Sequence, residues 1–326
     1  MKLLAPCSDP AEVEPLLRAG ADELYCGLFD GDWLRRWGPA SWPNRRGPGP
    51  ANLPSRDALG QVVSTAHEGG AAVQLTLNAP LLSPEQEEAA LAVAGDALAL
   101  GVDGIVVAAP QLLVGLRRQH PGVTLVASSL CSARNVPAVR LLAGLGADRV
   151  ILPRQLTLAE VGTIRRGCPD TAIEAFVLND ACAFDEGCCS TAHQLPGWDG
   201  AYCLESFRPL AGDGRPEPAV ARHQAWLDAL GARGFTAGGG LPLGPCGLCA
   251  LPRLAADGVD GVKVVGREAH PYRKIRSVQM VRHVLDALRD GGPEQARRRA
   301  RALREDPDGC EGGLHCYYPE ARSADE

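Results

Sequence analysis

Half of the cysteines in this chain fall in two short segments rich in glycine and turn-forming residues: residues 174–203 and the sequence GPCGLC. These six are Cys182, Cys188, Cys189, Cys203, Cys246 and Cys249. Thiolates bind zinc and iron–sulfur clusters, and a cluster normally takes four of them. The spacing predicts a soft-metal site with three ligands from the first segment, Cys182, Cys189 and Cys203. Either Cys246 or Cys249 can supply the fourth.

Two other uses of cysteine compete with this interpretation. Cysteine is often a small buried hydrophobic residue, which accounts well for Cys168 and poorly for thiols flanked by glycines. A disulfide framework is typical of small exported domains, whereas 326 residues can form a large core without crosslinks. The apolar start, Met1–Pro6, is too short for an export signal. We therefore expect a cytoplasmic protein whose thiols stay reduced and can hold metal.

The overall composition excludes two classes of protein. The chain is 45% hydrophobic and 22% charged, and no apolar run approaches the roughly 18 residues that a membrane span needs. Its 33 basic and 39 acidic residues give a formal net charge of -6, which argues against a broadly basic nucleic-acid-binding surface. We therefore expect neither a membrane span nor general affinity for nucleic acid.

One stretch is locally basic, and we call residues 33–56 the Trp/Arg loop. Arginines interleaved with aromatic residues can stack on bases or clamp phosphates, so this stretch is a candidate RNA-binding surface. Its proline and glycine content fits an ordinary surface loop equally well. The residues concerned are Arg35, Arg36, Arg45, Arg46, Arg56, Trp33, Trp37 and Trp42.

Short apolar runs alternate with helical segments along most of the chain, which is typical of a parallel α/β protein. A glycine recurs a few residues ahead of the next strand, as in HEGGAAVQL and GLGADRVIL. Eight such units predict a (β/α)8 TIM-like barrel, with a doubly wound open sheet as the alternative. The predicted strands are Lys2–Pro6, Glu23–Leu28, Val73–Asn78, Gly104–Ala109, Thr124–Ser129, Arg149–Pro153, Ile173–Val177 and Gly261–Gly266.

The predicted barrel covers residues 1–276, and a cysteine-rich metal-binding insertion at 178–255 lies between its seventh and eighth strands. Because this insertion follows the carboxyl end of a strand, it places the metal site over the barrel mouth, where barrel enzymes hold their active sites. Residues 277–326 form C-terminal helices and a tail. The helical patterns are Ile275–Arg289 and Pro293–Glu305. The tail contains Cys310, His315 and Cys316, which would act as a lid, as further ligands or as a packed chain end.

Several polar residues end the predicted strands and so face the same mouth. Arg154 and Arg267 can each hold a carboxylate or phosphate through paired hydrogen bonds. The alternative for either arginine is a structural ion pair with an acidic loop residue. Asn78 and Ser128 would shape the polar contacts of a ligand. Lys263 precedes Arg267 in the sequence GVKVVGRE. We predict that Arg154, Arg267, Asn78 and Ser128 are the catalytic-site residues.

The cysteine segment also resembles a known family. The pattern E-x-F-x5-C-x4-G-x-C is met by Glu174, Phe176, Cys182, Gly187 and Cys189, and it is similar to the signature of the peptidase U32 family. Other stretches that resemble this family are GADELYCG, LTLN, ASSLCSARN, LPRQLTLAEV and LAADGVDGVKVVGR. The resemblance covers nearly the whole chain. The chain resembles a divergent subgroup of the family, because its eighth strand continues as KVVGR without the glutamate that the family often has.

The resemblance implies a cofactor and a class of reaction. Some members are named as collagenases, whereas better understood members carry a four-cysteine [4Fe-4S] cluster and take part in oxygen-independent hydroxylation of the ubiquinone ring or of RNA bases. Carried over to this chain, the implied ligands are Cys182, Cys189, Cys203 and Cys246. Zinc is the alternative metal, because it also accepts four thiolates.

The sequence therefore leads to one hypothesis and two alternatives. The hypothesis is an iron–sulfur-dependent oxidoreductase of the hydroxylase type, acting on a small molecule or on RNA. A U32-family heterodimer partner or an electron donor would accompany it. The alternatives are a U32-type peptidase or other hydrolase, and a zinc-stabilised module that binds RNA through the Trp/Arg loop.

Overall fold

Eight parallel strands form a closed barrel in which each strand pairs with its neighbours in sequence. The strands are β1 (Lys2–Pro6), β2 (Glu23–Cys26), β3 (Ala72–Leu77), β4 (Gly104–Val107), β5 (Thr124–Ala127), β6 (Arg149–Ile151), β7 (Ala172–Leu178) and β8 (Gly261–Val264). The structure is a computed structural model, and it describes residues 1–180, 182, 186–188, 218, 221, 245–304, 310, 313 and 316–322. The rest of the predicted 178–255 insertion lies outside these residues.

The predicted (β/α)8 barrel is confirmed, and its closure excludes the open doubly wound sheet. Strand β1 pairs with β8, where Lys2 lies opposite Gly261. Five of the strands end two residues earlier than predicted, because the chain turns into the mouth at these points. After β5, for example, the Ser128 side chain accepts a hydrogen bond from the backbone of Leu130 and starts a short 3-10 turn.

Helices surround the barrel and bury their apolar faces against it. They are α1 (Val13–Arg18), α2 (Gly31–Trp37), α3 (Arg56–Glu68), α4 (Pro84–Ala99), α5 (Pro110–Gln119), α6 (Val136–Gly144), α7 (Leu158–Gly167), α8 (Leu251–Ala256) and α9 (Pro271–Ala302). The break at Gly292, whose φ is 76°, divides α9 into the two helical segments that the sequence predicted. No described helix is apolar over a length that would cross a membrane.

The barrel interior has two layers of different character. Toward the mouth lies an apolar cluster formed by Val106, Val126, Ile151, Phe176 and Val265. Toward the strand starts lies an ionic layer, in which Arg149 donates to Glu23 and to Glu174, each at 2.6 Å. Gly261 makes room for this layer, because a Cβ there would lie 3.0 Å from the Cγ of Glu174. Buried ion pairs of this kind are costly to break by removal of one partner.

Candidate functional site

The predicted polar residues Asn78 and Ser128 lie side by side at the barrel mouth. The Nδ2 of Asn78 donates to the Oγ of Ser128 over 3.4 Å. The Oδ1 of Asn78 accepts from the backbone N–H of Arg45 at 3.1 Å. The pair is therefore fixed between β3, β5 and the Trp/Arg loop, in a position to contact a ligand in the mouth.

Arg154 forms a structural ion pair, which was the predicted alternative to binding a ligand. Its guanidinium pairs with Glu186, whose Oε2 also accepts from the backbone N–H of Arg154 at 3.0 Å. The guanidinium carbon lies 3.7 Å from the ring centroid of Phe176. Ser129 donates to the Oε1 of Glu186 at 3.3 Å. Arg154 thus ties the cysteine segment to the barrel and has its charge neutralised by a carboxylate.

Arg267 is held differently from Arg154. It is only 4% exposed, and its guanidinium donates to the Oγ1 of Thr76 at 2.7 Å and to the Oδ1 of Asn44 at 3.0 Å. Both acceptors are neutral, and within the described ranges no carboxylate forms an ion pair with Arg267. Gly27 makes this position possible, because a Cβ there would lie 2.1 Å from a guanidinium nitrogen. Of the two predicted anion binders, Arg267 is the one whose charge can serve a ligand.

The Trp/Arg loop covers part of the mouth and begins within helix α2 (Gly31–Trp37), which the sequence did not predict. Asp30 starts this helix by accepting from the backbone N–H groups of Asp32 and Trp33. Trp33 and Trp42 are buried and so are not exposed stacking platforms.

Three arginines of this loop have intramolecular carboxylate partners. Arg46 bridges Asp180 at 2.9 Å and Glu268 at 2.5 Å. Arg35 pairs with Asp32, and Arg56 pairs with Asp96. Arg36 instead lies over the ring of Trp37 at 4.3 Å. The bridges of Arg46 fasten the loop to the barrel mouth, and these pairings reduce the positive charge that the loop presents to RNA.

Two of the four predicted cluster ligands are described, and both follow the carboxyl end of β7. Cys246 pairs with Leu178 across an antiparallel bridge, and Cys182 follows Leu178 by four residues. Cys189 and Cys203 lie outside the described residues. Among the residues that are described, no group of three or more His, Cys, Asp or Glu side chains is arranged to hold a metal. The ligand set therefore stays a prediction.

The C-terminal tail packs directly on this strand end. Cys316 forms a parallel bridge with Cys246, and the backbone N–H of Tyr317 donates to the carbonyl of Cys246 at 2.9 Å. The hydroxyl of Tyr318 donates to the carbonyl of Phe176 at 3.3 Å. Three roles were predicted for the tail: a lid, a source of further ligands, or a packed chain end. These contacts agree with the packed chain end. Cys310 is described, whereas His315 lies outside the described residues.

Gly187, the glycine of the cysteine motif, is required by a close contact. A Cβ at this position would lie 2.0 Å from the Cβ of Ser132, which itself has the left-handed φ of 54°. Neither backbone can retreat easily, so the motif needs a residue without a side chain here. The glycine lets the cysteine segment lie against the turn that follows β5.

Lys263 is the buried residue whose role the sequence did not predict. It projects from β8, is 6% exposed, and places its Nζ 3.8 Å from the ring centroid of Tyr25. Burial is the main reason that the pKa of this amine is lowered to about 7; the charge of Glu174 opposes the shift, and the charges of Arg267, Arg154 and Arg149 add to it. The sequence feature that could have identified this residue is a lysine inside an otherwise apolar strand.

Comparison with known proteins agrees with this architecture. The sequence matches the family model described as Peptidase family U32 over residues 8–323. The "tRNA hydroxylation protein P1" of Bacillus subtilis (strain 168) is 24% identical over 294 residues, which are 88% of this chain and 63% of that protein. An "Uncharacterized protease" of Methanocaldococcus jannaschii is 24% identical over 299 residues, covering 89% and 66%. The chain thus spans less than two thirds of the length of these relatives.

A solved structure shows the same fold. The N-acetylneuraminate lyase of Fusobacterium nucleatum aligns with 96% of this chain and 82% of its own, with a TM-score of 0.51 and 9% identity. That likeness concerns the barrel alone. The family match, in contrast, extends over the barrel, the motif from Glu174 to Cys189 and the tail. The chain therefore belongs to peptidase family U32.

Proposed function

We propose that this chain is an iron–sulfur-dependent enzyme that hydroxylates an aromatic or nucleobase substrate without molecular oxygen. The observation that carries this proposal is the alignment of 88% of the chain with a protein named for tRNA hydroxylation. Two shorter alignments, to proteins of Escherichia coli (strain K12) and Haemophilus influenzae named "tRNA hydroxylation protein P", support the same class.

The described thiols are compatible with a [4Fe-4S] cluster at the barrel mouth. Cys246 pairs with Leu178 at the end of β7, Cys182 follows Leu178 by four residues, and a cluster would take Cys189 and Cys203 as its other ligands. The cluster, when bound, supplies or relays electrons. A partner subunit or a separate electron donor would exchange electrons with it. Zinc in the same thiolates is the alternative, and it would leave the site without redox chemistry.

The mouth supplies the contacts that such a substrate needs. Arg267, whose guanidinium has neutral hydrogen-bond acceptors, would hold an anionic group of a small molecule or an RNA phosphate. Asn78 and Ser128 would contact polar groups of the ring. Arg154 acts as a positioning residue, because it joins Glu186 of the cysteine segment to Phe176 inside the barrel.

The peptidase alternative is supported by the name of one relative, and two of the described thiols are poorly suited to it. A cysteine nucleophile must be a thiolate near neutral pH. Burial raises the pKa of Cys131 to about 12 and that of Cys249 to about 12. The RNA-binding-module alternative is weakened by the ion pairs of Arg35, Arg46 and Arg56.

A deletion strain tests the proposed function. The gene is removed from its organism, cells are grown without oxygen, and tRNA nucleosides and quinones are compared by mass spectrometry. We expect a product carrying one extra oxygen atom to disappear, and to return with the wild-type gene but not with Cys182→Ala. Cys168→Ala, which alters a buried thiol outside the motif, should restore the product. An unchanged profile of hydroxylated nucleosides and quinones in the deletion strain would refute the proposal.

A further inference from the structure

The chain is rich in arginine and contains only three lysines, Lys2, Lys263 and Lys274. Two of them have carboxylate partners. Lys274 is 1% exposed and donates to both oxygens of Glu12, at 2.8 and 2.9 Å. Lys2 donates to Glu23 at 2.7 Å. Lys274 thus has the paired arrangement that a buried lysine normally requires, and Lys2 is exposed.

Lys263 is the exception. Its Nζ lies over the face of Tyr25, and among the described residues no carboxylate forms a salt bridge with it. Glu174 is close enough for its charge to act on the amine, but the Oε1 of Glu174 is bound to Arg149 at 2.6 Å. A desolvated ammonium without a carboxylate partner costs free energy, and the contact with the Tyr25 ring offsets only part of that cost.

The surroundings of Lys263 favour an uncharged amine. Burial is the largest cause; Glu174, the strongest of the charged groups, favours the ammonium, whereas Arg267, Arg154 and Arg149 disfavour it. A desolvated lysine beside other cations is the usual form of a nucleophilic amine in enzymes that form imines with carbonyl substrates.

The same place also holds an anion-binding group. The guanidinium of Arg267 lies against the ring of Tyr25 that faces Lys263, with its carbon 6.0 Å from the ring centroid. Its two hydrogen bonds to Thr76 and Asn44 leave other N–H donors for a ligand. An amine and an unneutralised guanidinium on one aromatic ring match a molecule that has a carbonyl and a carboxylate close together.

We propose that Lys263 is a catalytic amine that forms an imine with a small aldehyde or ketone bearing a carboxylate, which Arg267 holds. The amine nitrogen attacks the carbonyl carbon and gives a carbinolamine. The C–O bond then breaks, a C=N bond forms, and the oxygen leaves as water with the two amine protons. This step needs no oxidant or reductant. It goes beyond the proposed hydroxylation and requires neither a cluster nor RNA.

Reductive trapping tests this assignment on the full-length protein. The protein is incubated with glyoxylate and cyanoborohydride, which reduces an imine to a stable secondary amine, and peptides are analysed by mass spectrometry. We expect Lys263 to be modified at least about tenfold faster than Lys274 at pH 7, because burial lowers the pKa of the Lys263 amine to about 7, whereas the amine of Lys274 is enclosed and donates to Glu12. The rate should rise with pH through about 7 and then level off. Lys2 and the N-terminal amine serve as internal references.

Matched probes and variants separate binding from simple exposure. Glycolate, which lacks the carbonyl, should protect Lys263, and propionaldehyde, which lacks the carboxylate, should modify it more slowly than glyoxylate does. Arg267→Gln should remove the preference for glyoxylate, with circular dichroism to verify the fold. Modification confined to Lys2 and the N-terminus, or equal rates for Lys263 and Lys274 in wild-type protein, would overturn the assignment. Neither result would bear on the hydroxylation proposal, because that proposal is tested separately by the hydroxylated products of the deletion strain.

Discussion

Replacing Arg149 with methionine is expected to lower the free energy of unfolding by about 3–5 kcal/mol. Arg149 neutralises two carboxylates inside the barrel, Glu23 and Glu174, each 2% exposed at its side chain. The substitution keeps most of the side-chain volume and removes the charge. Glu174 would then have no ion pair to Arg149, and its Oε2 already lacks a hydrogen bond. Urea unfolding at pH 8 measures the loss.

The pH dependence of the stability loss in Arg149→Met tests whether the buried carboxylates cause it. Burial raises the pKa of Glu23, but hydrogen bonds from Arg149 and Lys2 outweigh it and hold the pKa below its usual value. Without Arg149 the pKa of Glu23 should rise above its unfolded value, so the loss should be smaller at pH 5 than at pH 8. Arg18→Met, which breaks an exposed pair with Glu14, should cost at most about 1 kcal/mol. An equal loss at both pH values would contradict this explanation.

The two buried lysines are expected to respond to methionine with opposite signs. Lys274→Met should destabilise the protein by about 3–5 kcal/mol, because Glu12, 4% exposed, is left without its partner. Lys263→Met should stabilise it by about 1–3 kcal/mol, since it removes from the interior an amine that has no carboxylate partner. Chemical denaturation of both variants beside the wild type, at pH 7, measures the two changes.

The gain from Lys263→Met should also depend on pH in a defined direction. The pKa of Lys263 falls from 10.5 in the unfolded chain to about 7 in the fold. The unfolded state therefore binds more protons between these values, and wild-type stability rises over that range. The advantage of the variant should be largest at pH 7 and below and should shrink toward pH 10. Destabilisation by Lys263→Met throughout this range would show that the amine has a structural role.

The fold was predictable because its signals are local and repeated. Each strand is a short apolar run, and the closed barrel needs only their number and the helices between them. Helix α2 was missed, because tryptophan, arginine, proline and glycine in one stretch are typical of a loop. The cap at Asp30 is the local signal that would have identified it.

The site was less predictable because its decisive contacts are distant in sequence. Whether Arg154 binds a ligand depends on Glu186, 32 residues away, in a segment without periodicity. Lys263 and Lys274 are both buried, and only the pairing of Lys274 with Glu12, 262 residues away, distinguishes them. Sequence patterns identify the residues that reach the mouth, whereas tertiary contacts decide which charges are already neutralised.

Metal analysis of anaerobically purified protein, with electron paramagnetic resonance, tests the central claim most directly. We expect about four irons per chain with matching sulfide. The iron should be lost in Cys182→Ala and Cys246→Ala and retained in Cys168→Ala, whose thiol is buried between α6 and α7. Zinc in place of iron, or iron retained in Cys182→Ala, would contradict the account.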